Sequence, residues 1–227
     1  MAREILDRKI QHLLDEILIL DSLIENATQD AVQALKTRDL DLAQRIYRGD
    51  AVINAKRFEL ENDCMITIAT QQPIMAGDLR LLASVLEVVG ELERMGDYAK
   101  GIAKICLLMG NEPPVKPLID IPKMGEIVVS MLHRAVGAFV SHDAETARKI
   151  PLEDDQVDDL YNRVYHDLVN IMIKDPTVID RANHLMWAAH NLERMADRVT
   201  NICERAIYVA TGEMSEIDVS DDQGIGP

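Results

Sequence analysis

Along most of the chain apolar residues recur at alternating steps of three and four, the period of a helix that buries one stripe. The clearest seam runs Leu81, Val85, Val88, Leu92, Met95, Ala99, Ile102, Cys106 and Met109. A second runs Leu185, Ala188, Leu192, Met195, Val199, Ile202, Ala206 and Val209. Both predict long helices packed along a narrow apolar stripe, as in a bundle. Between such stretches lie Thr37-Arg38-Asp39, Gly49-Asp50, Gln71-Gln72-Pro73, Ser141-His142-Asp143, Pro151 and Asp175-Pro176. Proline lacks a backbone donor and turns its predecessor away from helix, so these stretches mark element ends. The pattern predicts an all-α protein.

The pattern also repeats. ELERMGD at 91–97 returns as NLERMAD at 191–197, and AVQAL at 31–35 returns as AVGAF at 135–139. Asp39, Ala43, Ile46, Asp50 and Ile53 correspond to Asp143, Ala147, Ile150, Asp154 and Val157. An internal duplication is the simplest account. Each half reads as a long helix, a short helix ending near Gly49 or Pro151, and two further long helices. The expectation is two tandem, pseudo-symmetric three-helix bundles at 1–112 and 123–212, a Pro-rich linker at 113–122 and a disordered tail at 213–227.

Charge narrows the partners. With 24 Lys+Arg against 39 Asp+Glu, a net charge of -15, there is no broad positive face for a phosphodiester backbone, so nucleic acid is not an expected partner. Cys64, Cys106 and Cys203 are odd in number and nowhere spaced C-x-x-C, which argues against a disulfide framework or a thiolate zinc site. No window approaches eighteen uncharged apolar residues, and the first residues are charged, so a soluble, cytoplasmic protein is expected. Leu82 and Leu86 fall on the back of their helix, where exposed apolar side chains would call for a homodimer. Trp187, among small residues, is expected at a helix contact.

The candidate chemistry is acidic. Glu93 with Asp97, and Glu193 with Asp197, stand four apart on one helix face, about 6 Å between Cβ atoms. That spacing suits oxygen ligands to hard cations or to a bridged cluster, not zinc alone. Folding each hairpin about its turn sets Met95 opposite Val52, the level of Asp50 and Asn54, and sets Met195 opposite Asp155, flanked by Asp154 and Asp158. Acidic or amide pairs therefore meet at one level in both halves. Taken at 100° per residue, Glu93 and Asp97 point away from their seam, so the expected site is a shallow one on the bundle surface. A buried di-iron centre is disfavoured, since none of the six histidines has Glu three residues before it.

These residues together resemble the PhoU family of phosphate-uptake regulators. The resemblance covers residues 2–212 and rests on LERMGD and LERMAD with NIC at 201–203, GDAVIN at 49–54, DDQVDD at 154–159 and QPIMAGDLR at 72–80. It implies a six-helix tandem of bundles with multinuclear metal clusters held at the surface by E/D-x-x-x-D motifs. By position those motifs fall on Glu93 with Asp97, Glu193 with Asp197, and Asp154 with Asp158, with Asp50 as the further first-half ligand. Asn54 stands where a full acidic motif would carry a carboxylate, leaving the first-half site one charge short. The resemblance further implies a cytoplasmic adaptor between a phosphate ABC transporter ATPase and a sensor histidine kinase, reaching the membrane only through partners. In that role it restrains the phosphate-starvation response.

Iron, zinc, manganese and magnesium all remain open as the metal. Two other readings compete with a non-enzymatic regulator. One is a carboxylate-bound metal-dependent enzyme, against which stand the lack of a nucleophile and of a histidine base beside the dyads. The other is a purely structural helical protein without metal.

Overall fold

A computed structural model describes residues 2–214, 216 and 217, and every regular element among them is helical. The long helices are α1 (Ala2–Thr37), α2 (Leu40–Thr70), α3 (Ala76–Met109), α4 (Asp120–Ser141), α6 (Asp154–Lys174) and α7 (Ile179–Thr211), with a short α5 (Ala144–Lys149) before α6. Helices α1 to α3 form one half, and α4 to α7 repeat it.

The duplication extends to backbone detail. Arg38 and His142, 104 residues apart, both take left-handed φ values, 59° and 57°. The amides that follow them close the same turn, Asp39 N donating to Ala34 O and Asp143 N to Ala138 O. Asp39 then caps α2 by accepting from Leu42 N, and Asp143 caps α5 by accepting from Glu145 N and Thr146 N. Each aspartate satisfies amides that the first helical turn cannot.

The halves differ at the second helix. The short helix expected to end near Gly49 does not end there: α2 runs unbroken to Thr70. In the second half α5 stops at Lys149, and a 3-10 turn at Ile150–Glu153 leads into α6. Glycine keeps its amide and costs a helix only about 1 kcal/mol, whereas Pro151 removes a donor and tightens the chain locally. Proline in a first turn is tolerated, and Pro122, expected to lie in the linker, is the third residue of α4.

Every residue of the two seams is buried, and Leu92, Met95, Leu192 and Met195 are fully enclosed. Burying each such side chain contributes about 1.5–3 kcal/mol. The expectation of one narrow stripe per helix fails, however, because α3 and α7 each carry two interfaces. Leu82 is fully buried and Leu86 half-buried, so the apolar surface invoked for a homodimer is covered within the chain.

Helices α3 and α7 pack along their lengths. A Cβ on Gly101 would lie 2.8 Å from the Asn191 amide nitrogen. Asn201 Nδ2 donates to Glu91 at 3.3 Å, and Arg205 pairs with Glu87 at 3.1 Å. As one residue number rises the other falls by the same step, so the helices run antiparallel. Gly96 of one motif copy lies level with Ala196 of the other, and the repeated sequence marks where the halves cross.

Three further expectations can be placed. Helix α4 is long and apolar enough to span a membrane, but 56% of its most apolar window is buried inside the fold, against α1, α6 and α7. Trp187 is 53% exposed, edge-on to His184, rather than buried at a helix contact. The predicted disordered tail lies largely outside the described residues, but within it the Ile217 amide donates to Glu204 at 2.9 Å.

Candidate metal-binding site

In each half the acids line the groove between the second and third helices. Their burial departs from expectation, since Asp50 is only 5% exposed and Asp154 only 6%. Glu93 and Glu193 keep 14% and 21% side-chain exposure, and Asp97 is the open one at 53%. The back of α3 and α7 is not solvent, because each helix packs on the other there. The acids are therefore set into a groove instead of standing on a free face.

The first-half groove holds its own cations. Gly96 sits against Ile53, 3.0 Å from where its Cβ would be, which fixes the level at which α2 and α3 meet. There Lys100 places its ammonium 2.6 Å from Asp50 Oδ2 and 3.6 Å from Asp97. Arg57 lies 3.0 Å from Glu93 and 2.8 Å from Glu61. Asn54 donates to the same Asp50 oxygen at 2.9 Å. The hydrogen bond that Lys100 donates to Asp50 raises the lysine's pKa above its ordinary value, so it stays charged.

The second half repeats the acids without those cations. With the 100-residue offset Thr200 takes the place of Lys100, and with the 104-residue offset Tyr161 takes the place of Arg57. Thr200 is buried, and its Oγ1 has no hydrogen-bond partner among the described residues. The Tyr161 and His190 rings lie 6.1 Å apart, centroid to centroid, across α6 and α7. Moving in opposite directions along the two antiparallel helices from that contact brings Asp158 level with Glu193, then Asp154 level with Asp197. Burial first, then the Glu193 carboxylate, pushes the Tyr161 phenol up. Arg194 pairs with Asp197 at 2.9 Å from the same helix.

The register of α6 against α7 thus sets Asp154, Asp158, Glu193 and Asp197 at neighbouring levels, hard oxygen donors of the kind that a cation or a bridged cluster takes. Asp50, Glu93 and Asp97 share a groove as well, where Lys100 and Arg57 from the facing helices are paired with them. Reasoning from the sequence missed His190, whose Nδ1 lies 3.1 Å from Glu193 Oε2. A histidine does stand beside the dyad, and its signal was the His-x-x-Glu spacing within one turn. All three cysteines are free and buried. Burial pushes the Cys64 and Cys203 thiols up to about 11 and about 12.

Comparison with known proteins agrees with this architecture. The PhoU domain model matches residues 17–106 and again 121–206. A phosphate-specific transport system accessory protein PhoU homolog from Clostridium acetobutylicum is 34% identical over 97% of this chain and 100% of its own length. A homolog of the same description from Aquifex aeolicus is 36% identical over 91% of this chain and 93% of its own. The crystal structure of PhoU from Pseudomonas aeruginosa superposes with a TM-score of 0.86 at 32% identity, covering 91% of this chain and 99% of that one. That of the phosphate transport system regulatory protein PhoU from Streptococcus pneumoniae gives 0.86 at 30% identity, over 93% and 100%. With both halves matched and the relatives covered along almost their whole length, the chain belongs to the PhoU family.

Proposed function

We propose that this chain is an accessory regulator of a phosphate transport system. It acts as a cytoplasmic adaptor between the ATPase subunit of a phosphate ABC transporter and a sensor histidine kinase, restraining the phosphate-starvation response when phosphate is plentiful. The relatives' names support the transport role. Helical surfaces suit docking of partner helices and grooves. The test is a pull-down with both partners at high and low phosphate; absence of association with either, in both conditions, overturns the adaptor reading.

In the same reading the second half carries the metal. The observation behind it is the exchange of Lys100 and Arg57 for Thr200 and Tyr161 beside the four carboxylates. Asp154, Asp158, Glu193 and Asp197 would hold the cation or cluster, which would relieve the mutual repulsion of the acids and fix α6 against α7. Iron, manganese, magnesium and zinc are told apart by anomalous scattering from soaked crystals. Asp154→Asn with Glu193→Gln is expected to abolish uptake at this groove, and Asp50→Asn to leave it unchanged. Uptake indifferent to the first change overturns this part.

His190 beside Glu193 favours a second reading, metal-assisted hydrolysis with the imidazole moving a proton. Hydrolysis of a phosphoester by metal-loaded protein, lost in Glu193→Gln, would establish it in place of a non-catalytic role.

A further inference from the structure

A third acidic group lies apart from both grooves, where α1 of the first half packs on α4 of the second. These helices run antiparallel, with Val32 3.0 Å from the Cβ position of Gly125 and Glu25 level with His133. There Asp21, Glu25 and His133 bring a ligand atom each to within 4.8 Å of one another. Glu25 Oε1 and His133 Nδ1 are 3.0 Å apart. Asp21 is 3% exposed, and its Oδ1 meets no hydrogen-bond partner among the described residues. A nearly fully buried carboxylate, with one oxygen lacking a donor and a ligand atom within 4.8 Å of a second carboxylate and an imidazole, is a costly arrangement that a bound cation would relieve.

We propose that Asp21 and Glu25 of α1 with His133 of α4 form a binding site for a divalent transition-metal cation, which clamps the two halves of the chain together. Two carboxylates and one imidazole are a mixed oxygen and nitrogen donor set, suited to zinc, manganese or iron(II) more than to magnesium or calcium. A cation with bonds of about 2.0–2.2 Å spaces neighbouring donors by about 3–3.5 Å. The Glu25 to His133 separation already matches, and a ligand atom of Asp21 lies within 4.8 Å of both. One turn along α4 from His133 is Gly137, where a Cβ would meet nothing within 4 Å, leaving room for water ligands. The group is not a copy of the other acidic sites, since Gly125 and Val129 stand at the positions corresponding to Asp21 and Glu25. With no cation, burial and then Glu25 push the Asp21 carboxyl up to about 8.

The test is a zinc titration of chelator-stripped full-length protein, followed by the imidazole resonances of His133 and by the number of ions bound at dialysis equilibrium. His133 is expected to shift as zinc binds, and His133→Ala to take up one ion fewer. Asp21→Asn should weaken the His133 response about tenfold or more. The double change Asp154→Asn, Glu193→Gln should leave that response in place, which separates this site from the second-half groove. The His133 side chain is 75% exposed, so alanine there does not threaten the fold. A His133 resonance that stays still while zinc is taken up, or a His133→Ala protein that binds as many ions as its parent, overturns the proposal.

Discussion

Lys100 of α3 holds its ammonium 2.6 Å from Oδ2 of Asp50, a buried carboxylate of α2 whose other oxygen has no hydrogen-bond partner among the described residues. Lys100→Met strips the cation from a buried acid. Removing one partner of a fully buried pair costs about 3–5 kcal/mol, and because the lysine is 31% exposed the expected loss is smaller, about 1–3 kcal/mol. Urea unfolding measures it. Manganese should restore part of the loss in the variant, an effect Asp50→Asn added to it would abolish.

The converse change is Thr200→Lys, which carries the first-half ammonium into the second-half groove. Metal affinity there is expected to fall about tenfold or more, read by elemental analysis after dialysis, as a fixed charge replaces the exchangeable one. Retention of full metal content would count against the account of why the halves differ.

Arg134 of α4 grips Glu153 with two parallel hydrogen bonds of 2.6 Å each. The Arg134 hydrogen bond holds the Glu153 carboxyl below its ordinary 4.5. A depressed carboxyl stabilises the fold above its unfolded value and loses that contribution as pH falls through its folded one. Both side chains are about one-third exposed, so the pair is worth about 0.5–1 kcal/mol at neutral pH. Glu153→Gln should be less stable by that amount at neutral pH and indistinguishable from the parent in strong acid, by denaturant unfolding at each pH.

His142 occupies a left-handed position that glycine takes without strain. His142→Gly is expected to gain about 0.5–1 kcal/mol, a rise in melting temperature of about 1–4 °C in a scanning experiment. Arg38 is the poorer place for the same change, since its guanidinium donates to Asn111 O at 3.1 Å across the first half.

Two glycines of α3 should answer oppositely. Gly90 has open space where a Cβ would go, and Gly90→Ala should stabilise by about 0.5–1 kcal/mol through helix propensity alone. Gly101 has the Asn191 amide 2.8 Å from that point, and Gly101→Leu should cost about 1–3 kcal/mol by forcing α3 from α7. Paired chemical unfolding curves give both signs.

Much of this was readable beforehand. The seams, the long helices and the level at which Asp154 and Asp158 meet Glu193 and Asp197 follow from periodicity and a hairpin folded about its turn. What was lost came from treating each helix as having one interface. Leu82 and Val89 widen the stripe of α3 on the side of α2, where Cys64 Sγ donates to Leu82 O, while Glu87, Glu91 and Gly101 meet α7 on another face, and the acids lie in the groove between. The first-half cations become legible when basic as well as acidic positions are projected across the hairpin. Lys100 lies about one turn beyond Asp97, and the same projection sets it within a turn of Asp50. Asp21 and Glu25 stand four apart like the other acidic pairs, but no spacing links them to His133, which they meet only where the two halves join.

The crossing of α3 and α7 has a consequence for how such a chain could arise. Gly101 faces Asn191, while Asn201, its counterpart, faces Glu91, the counterpart of Asn191. Each contact thus recurs with the halves exchanged, the hallmark of an isologous surface enclosed in a single polypeptide. A third helix of this kind is self-complementary, so an unduplicated half-length ancestor would already have possessed, in its own copy, the partner that covers it.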